Sequence, residues 1–339
     1  MRVTIRVSPF APVQEVVEFA RGCEAAGFDG VGFLDSQMIN RDVFVTLGQV
    51  AAATDRVHLA TAVTNPVTRH VSVIASAAAT VDDLAPGRVA IWIGRGFSAT
   101  NLIGADQAKT RELGEAIRDL RRLIAGEWDV FPGTHSRMRT ADRQIPVYLA
   151  AAGPRTIRLA GEVADGLLLA GSMLASGRER ARQLAAEGAR LAGRNRDEID
   201  ICHSLLTSIR ESREEALRWA GPLIALRLND EQWLREAGIE TKGAKLPEGL
   251  NSLYPDPMHA EDHGAAMDMA EEIPLELRLQ IAEKLGLIGT PEDCIARLRQ
   301  LAAEGVDNVY MRTVDTVSFP QSEVDAYKDH IRPAIASFR

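Results

Sequence analysis

The first group in the sequence placed to touch a ligand is an acid leaving an apolar run, in Leu34-Asp35-Ser36-Gln37. Asp35 reads either as a cap for the helix that follows or as a site carboxylate. The next apolar run ends in Thr61-Ala62-Val63-Thr64-Asn65-Pro66, small residues followed by a polar pair and a proline. That pattern fits a turn, or a backbone bulge pressed against a planar ring. In Ile93-Gly94-Arg95-Gly96-Phe97-Ser98 two glycines flank one arginine, which suits a tight turn or a close approach of backbone to ligand. Gly153-Pro154-Arg155 leads small residues into a helix whose first N–H groups are free. With proline at the first helical position and an adjacent arginine, that is the chemistry of an anion pocket. Ala170-Gly171-Ser172 is a second donor-rich turn. Each alone is an ordinary turn; as a pair they have the pattern of a split phosphate site late in a barrel.

Other chemistries lack their residues. The sequence holds no HExxH, no GxSxG and no phosphate-binding P-loop. His259 and His263 stand four apart on a polar stretch with no third ligand beside them, so no metal is expected. His58 and His203 read as locally satisfied strand residues, and Met267 and Met269 as packing. His70 opens a helix after Thr68-Arg69, close to a strand end, and is with Asp35 a candidate for a catalytic role. A formal charge of −8 and no basic stripe with interleaved aromatics argue against nucleic acid. Cys23, Cys202 and Cys294 are an odd number and far apart, which argues against a disulfide framework and for the cytoplasm. The opening alternation Val3-Ile5-Val7 has no signal-peptide core, and no apolar run is long enough for a membrane span.

The elements that must position these groups alternate along the chain. Strands are predicted over 2–7, 30–34, 57–62, 88–93, 146–150, 166–170, 199–207 and 308–311. Helices are predicted over 13–26, 43–53, 71–84, 113–125, 155–164, 177–191, from 213 and over 323–335. Eight strand–helix units in strict alternation predict an α/β fold, a (β/α)8 TIM barrel with all strands parallel, as one domain over 1–339. The rhythm breaks at 221–289, which is rich in Gly and Pro near 241–257 and carries helical patterns at 267–272 and 275–285. It reads as an insertion before the eighth strand, lying over the barrel mouth as a lid. Thr290-Pro291-Glu292-Asp293 then starts a further helix.

Five segments, GFDGVGFLDSQMINRDVFVTL, RVHLATAVTNPVTRH, DLAPGRVAIWIGRGFSATNLIG, PVYLAAAGPRTIRLAGEVADGLLLAG and IGTPEDCIARLRQLAAEGVDNVYMR, resemble the luciferase-like monooxygenase superfamily. The resemblance is to its deazaflavin branch, that of methylenetetrahydromethanopterin reductase. It implies a (β/α)8 barrel, often a homodimer, that takes the deazaflavin coenzyme F420 or flavin mononucleotide (FMN) and a small-molecule substrate. It places Asp35 at the polar edge of the ring and Ala62-Val63 at a third-strand bulge with a cis peptide, with Thr64 and Asn65 beside it. Gly94, Arg95 and Gly96 would face ring or tail, and Gly153, Pro154, Arg155, Gly171 and Ser172 would hold the phosphate. Many deazaflavin dehydrogenases have Asp-His where this chain has Asp35-Ser36, and an acid where it has Phe97. Acid–base roles therefore do not carry over. The implied activity is hydride transfer with coenzyme F420; the alternatives are an FMN-dependent monooxygenase using oxygen and a non-catalytic flavin-binding barrel.

Overall fold

The computed structural model describes residues 1–141, 143–171, 173–195 and 198–338. Its strands and helices alternate as β1 (Arg2–Val7), α1 (Val13–Ala26), β2 (Gly30–Phe33), α2 (Val43–Ala53), β3 (His58–Thr64) and α3 (Val71–Leu84). Then come β4 (Val89–Ile93), α4 (Ser98–Asn101), α5 (Thr110–Ile124), β5 (Val147–Ala151), α6 (Pro154–Val163), β6 (Gly166–Leu169) and α7 (Ala175–Leu191). The remainder is β7 (Asp200–Ile209), α8 (Arg213–Ala225), α9 (Glu231–Glu236), α10 (His263–Ala270) and α11 (Leu275–Leu285). The chain ends with β8 (Gly286–Gly289), α12 (Pro291–Ala303), β9 (Asn308–Thr313), α13 (Gln321–Ala326) and α14 (Arg332–Ile335).

The strands form one sheet in the hydrogen-bonded order β6-β5-β4-β3-β2-β1-β9-β7-β8, and β6 also pairs with β7. This is the (β/α)8 barrel, eight parallel strands with one extra strand, β8. β7 is long enough to serve two neighbours. Asp200 to His203 pair with β6, and Leu206 to Ile209 pair with β8.

The chain divides into two compact units. One holds Pro9–Ala170 and Glu179–His203. Its strands are apolar on both faces, as parallel strands covered by helices must be; Phe33, Leu59, Ile91, Ile93 and Leu149 are fully buried. Leu113, Ile117 and Leu120 of α5 recur every three or four residues and are all buried, so the helix seats one apolar stripe. The other unit holds Met1–Ser8, Gly171–Arg178 and Ser204–Arg339. There Leu217, Leu223 and Ile224 of α8 share one buried cluster with Trp233, Ala266, Ala270, Ile273 and Ile281. The helices after α8 are therefore seated on it by a core of their own.

Helices α1, α2, α3 and α11 fall on the residues predicted for them. Four differences have physical causes. α5 begins at Thr110 because Glu112 accepts the Lys109 N–H at 2.9 Å, which fixes the first turn ahead of the apolar stripe. α10 begins at His263, where Asp262 accepts the Ala265 N–H at 2.9 Å. β8 has two glycines in four residues and follows a helix directly, so it shows no alternation. The helix expected over 323–335 is α13, a π turn at Tyr327–Ile331 and α14. Pro333 lacks the N–H that a continuous α-helix would use. Among the described residues no helix is long and apolar enough to cross a membrane.

Candidate active site

The ends of β2, β3, β4 and β5 all belong to the first unit described, so their geometry can be followed from residue to residue. β3 carries the irregularity. Its register against β4 shifts between Ala62 and Thr64, and the Ala62–Val63 peptide bond is cis. Thr61 and Trp92 sustain the pairing just before it: Thr61 Oγ1 donates to the Trp92 carbonyl at 2.8 Å and accepts the Trp92 N–H at 3.0 Å. The ladder resumes where the Gly94 N–H donates to the Thr64 carbonyl at 2.9 Å.

Beyond the bulge stand two buried polar residues. Asn65 is 1% exposed, and its Oδ1 accepts from the Val67 N–H, the Thr68 N–H and Thr68 Oγ1 at 3.1, 2.9 and 3.2 Å. Those three donors fix the amide's orientation. Asn65 Nδ2, with two N–H bonds to give, has no protein partner, and neither has Thr64 Oγ1. A buried donor left unmade costs about 1–3 kcal/mol, so such a pair points to a polar group supplied from outside.

The turn after β4 closes on the same place. A Cβ at Gly94 would stand 3.1 Å from Val63 Cγ2, and one at Gly96 would stand 2.6 Å from Thr100 Cγ2 and 3.5 Å from Asn65 Cγ. Gly96 also has φ +84, open to glycine and strained for other residues. Both readings of the glycine pair hold at once, since the turn is tight and it brings backbone against Val63 and Asn65. Arg95 is exposed, and its Nε donates to the Ala108 carbonyl at 2.7 Å.

Asp35 lies two residues past β2 and is buried. It caps no helix. The cap of α2 is Asp42, whose Oδ1 accepts the Phe44 and Val45 N–H groups at 2.9 and 3.0 Å. Asp35 instead takes Arg69 in a fork, Nε to Oδ2 at 3.2 Å and Nη2 to Oδ1 at 3.1 Å. Arg69 Nη2 also reaches Asp42 Oδ2 at 2.9 Å. Burial alone would lower Arg69, but bonds and charge from Asp35 and Asp42 outweigh it and raise the guanidinium above its ordinary value. Burial would raise Asp42; the Val45 N–H, the charge of Arg69 and its other bonds outweigh that and hold the carboxylate low. Arg69 is the site residue that the sequence does not announce. Its partner is 34 residues away, and no spacing rule links them.

His70 is exposed and caps α3, with Nδ1 accepting the Ser72 N–H at 3.3 Å and lying 2.7 Å from Ser72 Oγ. That cap accounts for its position at the helix start without a catalytic role. Gly153 caps α6 with Pro154 at the first helical position, as the anion-pocket pattern requires. A Cβ at Gly153 would meet nothing nearer than Thr156 Oγ1 at 3.8 Å, so packing does not demand glycine there. Arg155 is exposed and makes no ion pair among the described residues. Gly171, with φ +85, belongs to the other unit, and Ser172 lies outside the described residues. His259 and His263 go to separate neighbours: His259 Nδ1 lies 3.0 Å from Asp256, and the His263 ring packs 5.3 Å from Trp219.

The chain is 29% identical over 321 residues to 5,10-methylenetetrahydromethanopterin reductase of Methanolobus tindarius, covering 91% of this chain and 93% of that one. It is 30% identical over 310 residues to an F420-dependent glucose-6-phosphate dehydrogenase of Nakamurella multipartita, covering 86% and 83%. Its fold matches that of the coenzyme F420 dependent tetrahydromethanopterin reductase from Methanopyrus kandleri, with a TM-score of 0.76 at 23% identity over 98% of both chains. A model of the luciferase-like monooxygenase family matches residues 2–308, from the first residue of β1 to the first of β9, and the chain belongs to that family.

Proposed function

We propose that this protein is an oxidoreductase that binds coenzyme F420 and moves a hydride between it and a small organic substrate. The observation that carries the reading is the pair Thr64 Oγ1 and Asn65 Nδ2, buried and without protein partners directly after the bulged end of β3. The relatives named for F420 chemistry support it. When bound, coenzyme F420 supplies a ring carbon that takes up or releases the hydride. The protein's part is to bind, orient and exclude water. Thr64 and Asn65 offer hydrogen bonds to the polar edge of a flat ring, and Ala62-Val63 offers the surface behind it. Gly94 and Gly96 let the β4 turn come close. Asp35, held by Arg69, sets a fixed carboxylate by the β2 end. Gly153, Pro154 and Arg155 offer the N-terminus of α6 to the phosphate.

Residues 221–289 act as the lid in this reading, within a single functional domain. A homodimer and a cytoplasmic setting complete it. The family resemblance supports the first and the three buried cysteines, none in a disulfide, the second.

The test is turnover. Purified protein is mixed anaerobically with oxidised coenzyme F420 and panels of alcohols and phosphorylated sugars, and with reduced coenzyme and unsaturated or carbonyl acceptors. Loss or recovery of the deazaflavin's visible absorbance with one panel supports the reading. Oxygen uptake with reduced FMN, and no change with coenzyme F420, would replace it with the monooxygenase.

A further inference from the structure

The unit that holds β1 and β9 contains a cluster of arginines that the family reading does not use. Thr4 pairs with Tyr310 and Ile5 with Met311; one step further along both strands stand Arg6 and Arg312. Side chains alternate along a strand. Val3, Ile5, Val309 and Met311 are fully buried on one face, so Thr4, Arg6, Tyr310 and Arg312 share the other. Each arginine is one residue from the C-terminal end of its strand, where barrels place their chemistry.

These arginines have few anions to meet. Arg6 is 5% exposed; it donates from Nη2 to the Thr313 carbonyl, while its Nε is buried without a partner. Arg312 makes no hydrogen bond or ion pair among the described residues, and with Arg227 it lines a cavity of about 690 Å³. Burial, and then repulsion from Arg6 and Arg227, push Arg312 down to about 9, so it keeps its proton at neutral pH and the repulsion stands. Arg227 packs over the Trp233 ring at 5.3 Å and meets Asp230 at 3.1 Å. The second acid near the cluster, Asp315, is occupied by the Val317 and Ser318 N–H groups at 2.8 and 3.1 Å and by the Ser318 hydroxyl. Three guanidiniums thus face three carboxylates: Asp230 and Asp315, which already have donors of their own, and Glu231, an exposed acid on the cavity wall. Asn229 and Asp230 add polar groups to the cavity wall, and Leu223 and Met258 add apolar surface.

We propose that this cavity receives an oxyanion, a carboxylate or phosphate group carried by the substrate, between Arg227 and Arg312. A guanidinium matches either group with two parallel N–H bonds, and entry of such a group relieves the repulsion that remains between the arginines. Assigning the oxyanion to the substrate rests on the oxidoreductase reading above; capture of the anion does not.

Thermal unfolding of the full chain tests it, with inorganic phosphate and with succinate, each against chloride at equal ionic strength. Both probes raise the Tm of the wild type, because a ligand of the native state stabilises it. Arg312→Gln without ligand unfolds at a higher temperature than wild type, since it removes the repulsion, and its apparent Kd for either anion rises about tenfold or more. A purely structural Arg312 would lower the Tm instead. Should Arg312→Gln not fold, Arg227→Gln, on the short turn after α8, gives the same loss of anion affinity. Oxidised coenzyme F420, titrated by fluorescence, binds wild type and both variants within about twofold. The proposal is overturned if neither anion shifts the wild type, or if both variants keep its anion affinity. It is also overturned if Arg312→Gln weakens coenzyme F420 tenfold, which would give the cavity to the cofactor's own anionic tail. Failure of wild type to bind coenzyme F420, with anion capture intact, would remove only the substrate assignment and the reading beneath it.

Discussion

Arg69 closes on Asp35 with two hydrogen bonds, at 3.2 and 3.1 Å, and ties that buried carboxylate to the capped start of α2 through Asp42. The side chain of Asp35 is 2% exposed and that of Arg69 is 18% exposed, so the pair is shielded from water on the Asp35 side. Removing one partner of such a pair leaves the other charge uncompensated, at a cost of about 3–5 kcal/mol. Arg69→Ala is expected to lose about that much in urea unfolding, and Arg69→Lys to recover less than half, since an ammonium cannot make the fork. Asp42→Asn should cost the ion pair under about 1 kcal/mol, because Asp42 is much more exposed. Equal midpoints for Arg69→Ala and wild type would show that Asp35 needs no partner.

Glu24 gives a pH dependence. On α1 it accepts the N–H groups of Asp55, Arg56 and Val57 at 3.1, 2.6 and 2.9 Å, which fastens that helix to the entrance of β3. Burial would raise its pKa; the bonds from Arg56, Val57 and Asp55 and the charge of Arg56 outweigh this and lower it. A carboxylate with a lowered folded value stabilises the fold above its unfolded value, near about 4.3, and loses that contribution as pH falls through the folded one. Glu24→Gln should therefore destabilise the protein at pH 6 and differ little from wild type at the lowest pH where both still fold. Chemical unfolding across that range checks it, and a gap that widens toward acid would contradict it.

Gly96 combines φ +84 with a Cβ direction 2.6 Å from Thr100 Cγ2. Alanine there meets both problems. The left-handed conformation costs about 1–2 kcal/mol on its own. Thr100→Ser removes the methyl group that the new Cβ would strike. Gly96→Ala should thus be partly rescued by Thr100→Ser, leaving about the conformational cost. A double-mutant cycle in denaturant measures the coupling; strict additivity would mean that the turn shifts to avoid Thr100.

At the phosphate end, Arg155→Ala is expected to weaken coenzyme F420 about ten- to a hundredfold, the value of one charge-assisted hydrogen bond. The same substitution should leave a deazaflavin without its phosphate bound as the parent binds it. Gly153→Val should weaken the phosphorylated form further. A Cβ there comes no nearer than 3.8 Å, to Thr156 Oγ1, so unfolding stability should fall by no more than the cap preference, about 1 kcal/mol. Equal weakening of both forms would move the phosphate elsewhere.

What was legible in the sequence follows from how local each signal is. The βα alternation, with its period-2 and period-3.6 patterns, predicts the barrel and places four helices on their observed residues. The residue pattern at 61–66 leaves a turn and a bulge both open, and the resemblance alone places the bulge and its cis peptide at Ala62-Val63, since nothing in the residue types Ala and Val distinguishes that step from ordinary strand. β8 stayed hidden because Gly286 and Gly289 interrupt its apolar pair. Arg69 and Arg312 were invisible for a different reason. Each acquires its meaning from partners far along the chain, Asp35 in one case and Arg6 with Arg227 in the other. His70 shows the converse: position near a strand end suggested chemistry, and a local bond to Ser72 explains it.

Whether this barrel takes coenzyme F420, as proposed above, is decided by an equilibrium titration. Purified protein is titrated with oxidised coenzyme F420 and, separately, with FMN, following the fluorescence of each, and the series is repeated with Thr64→Val and Asn65→Asp. Wild type is expected to bind coenzyme F420 saturably and at least tenfold tighter than FMN. Both substitutions should weaken it while the fold survives: Thr64→Val replaces the unpartnered hydroxyl by a methyl group, and Asn65→Asp exchanges the unpartnered Nδ2 donor for an acceptor while keeping the oxygen that holds Val67 and Thr68. FMN bound more tightly than coenzyme F420, or coenzyme F420 bound equally by wild type and both variants, would contradict the proposal.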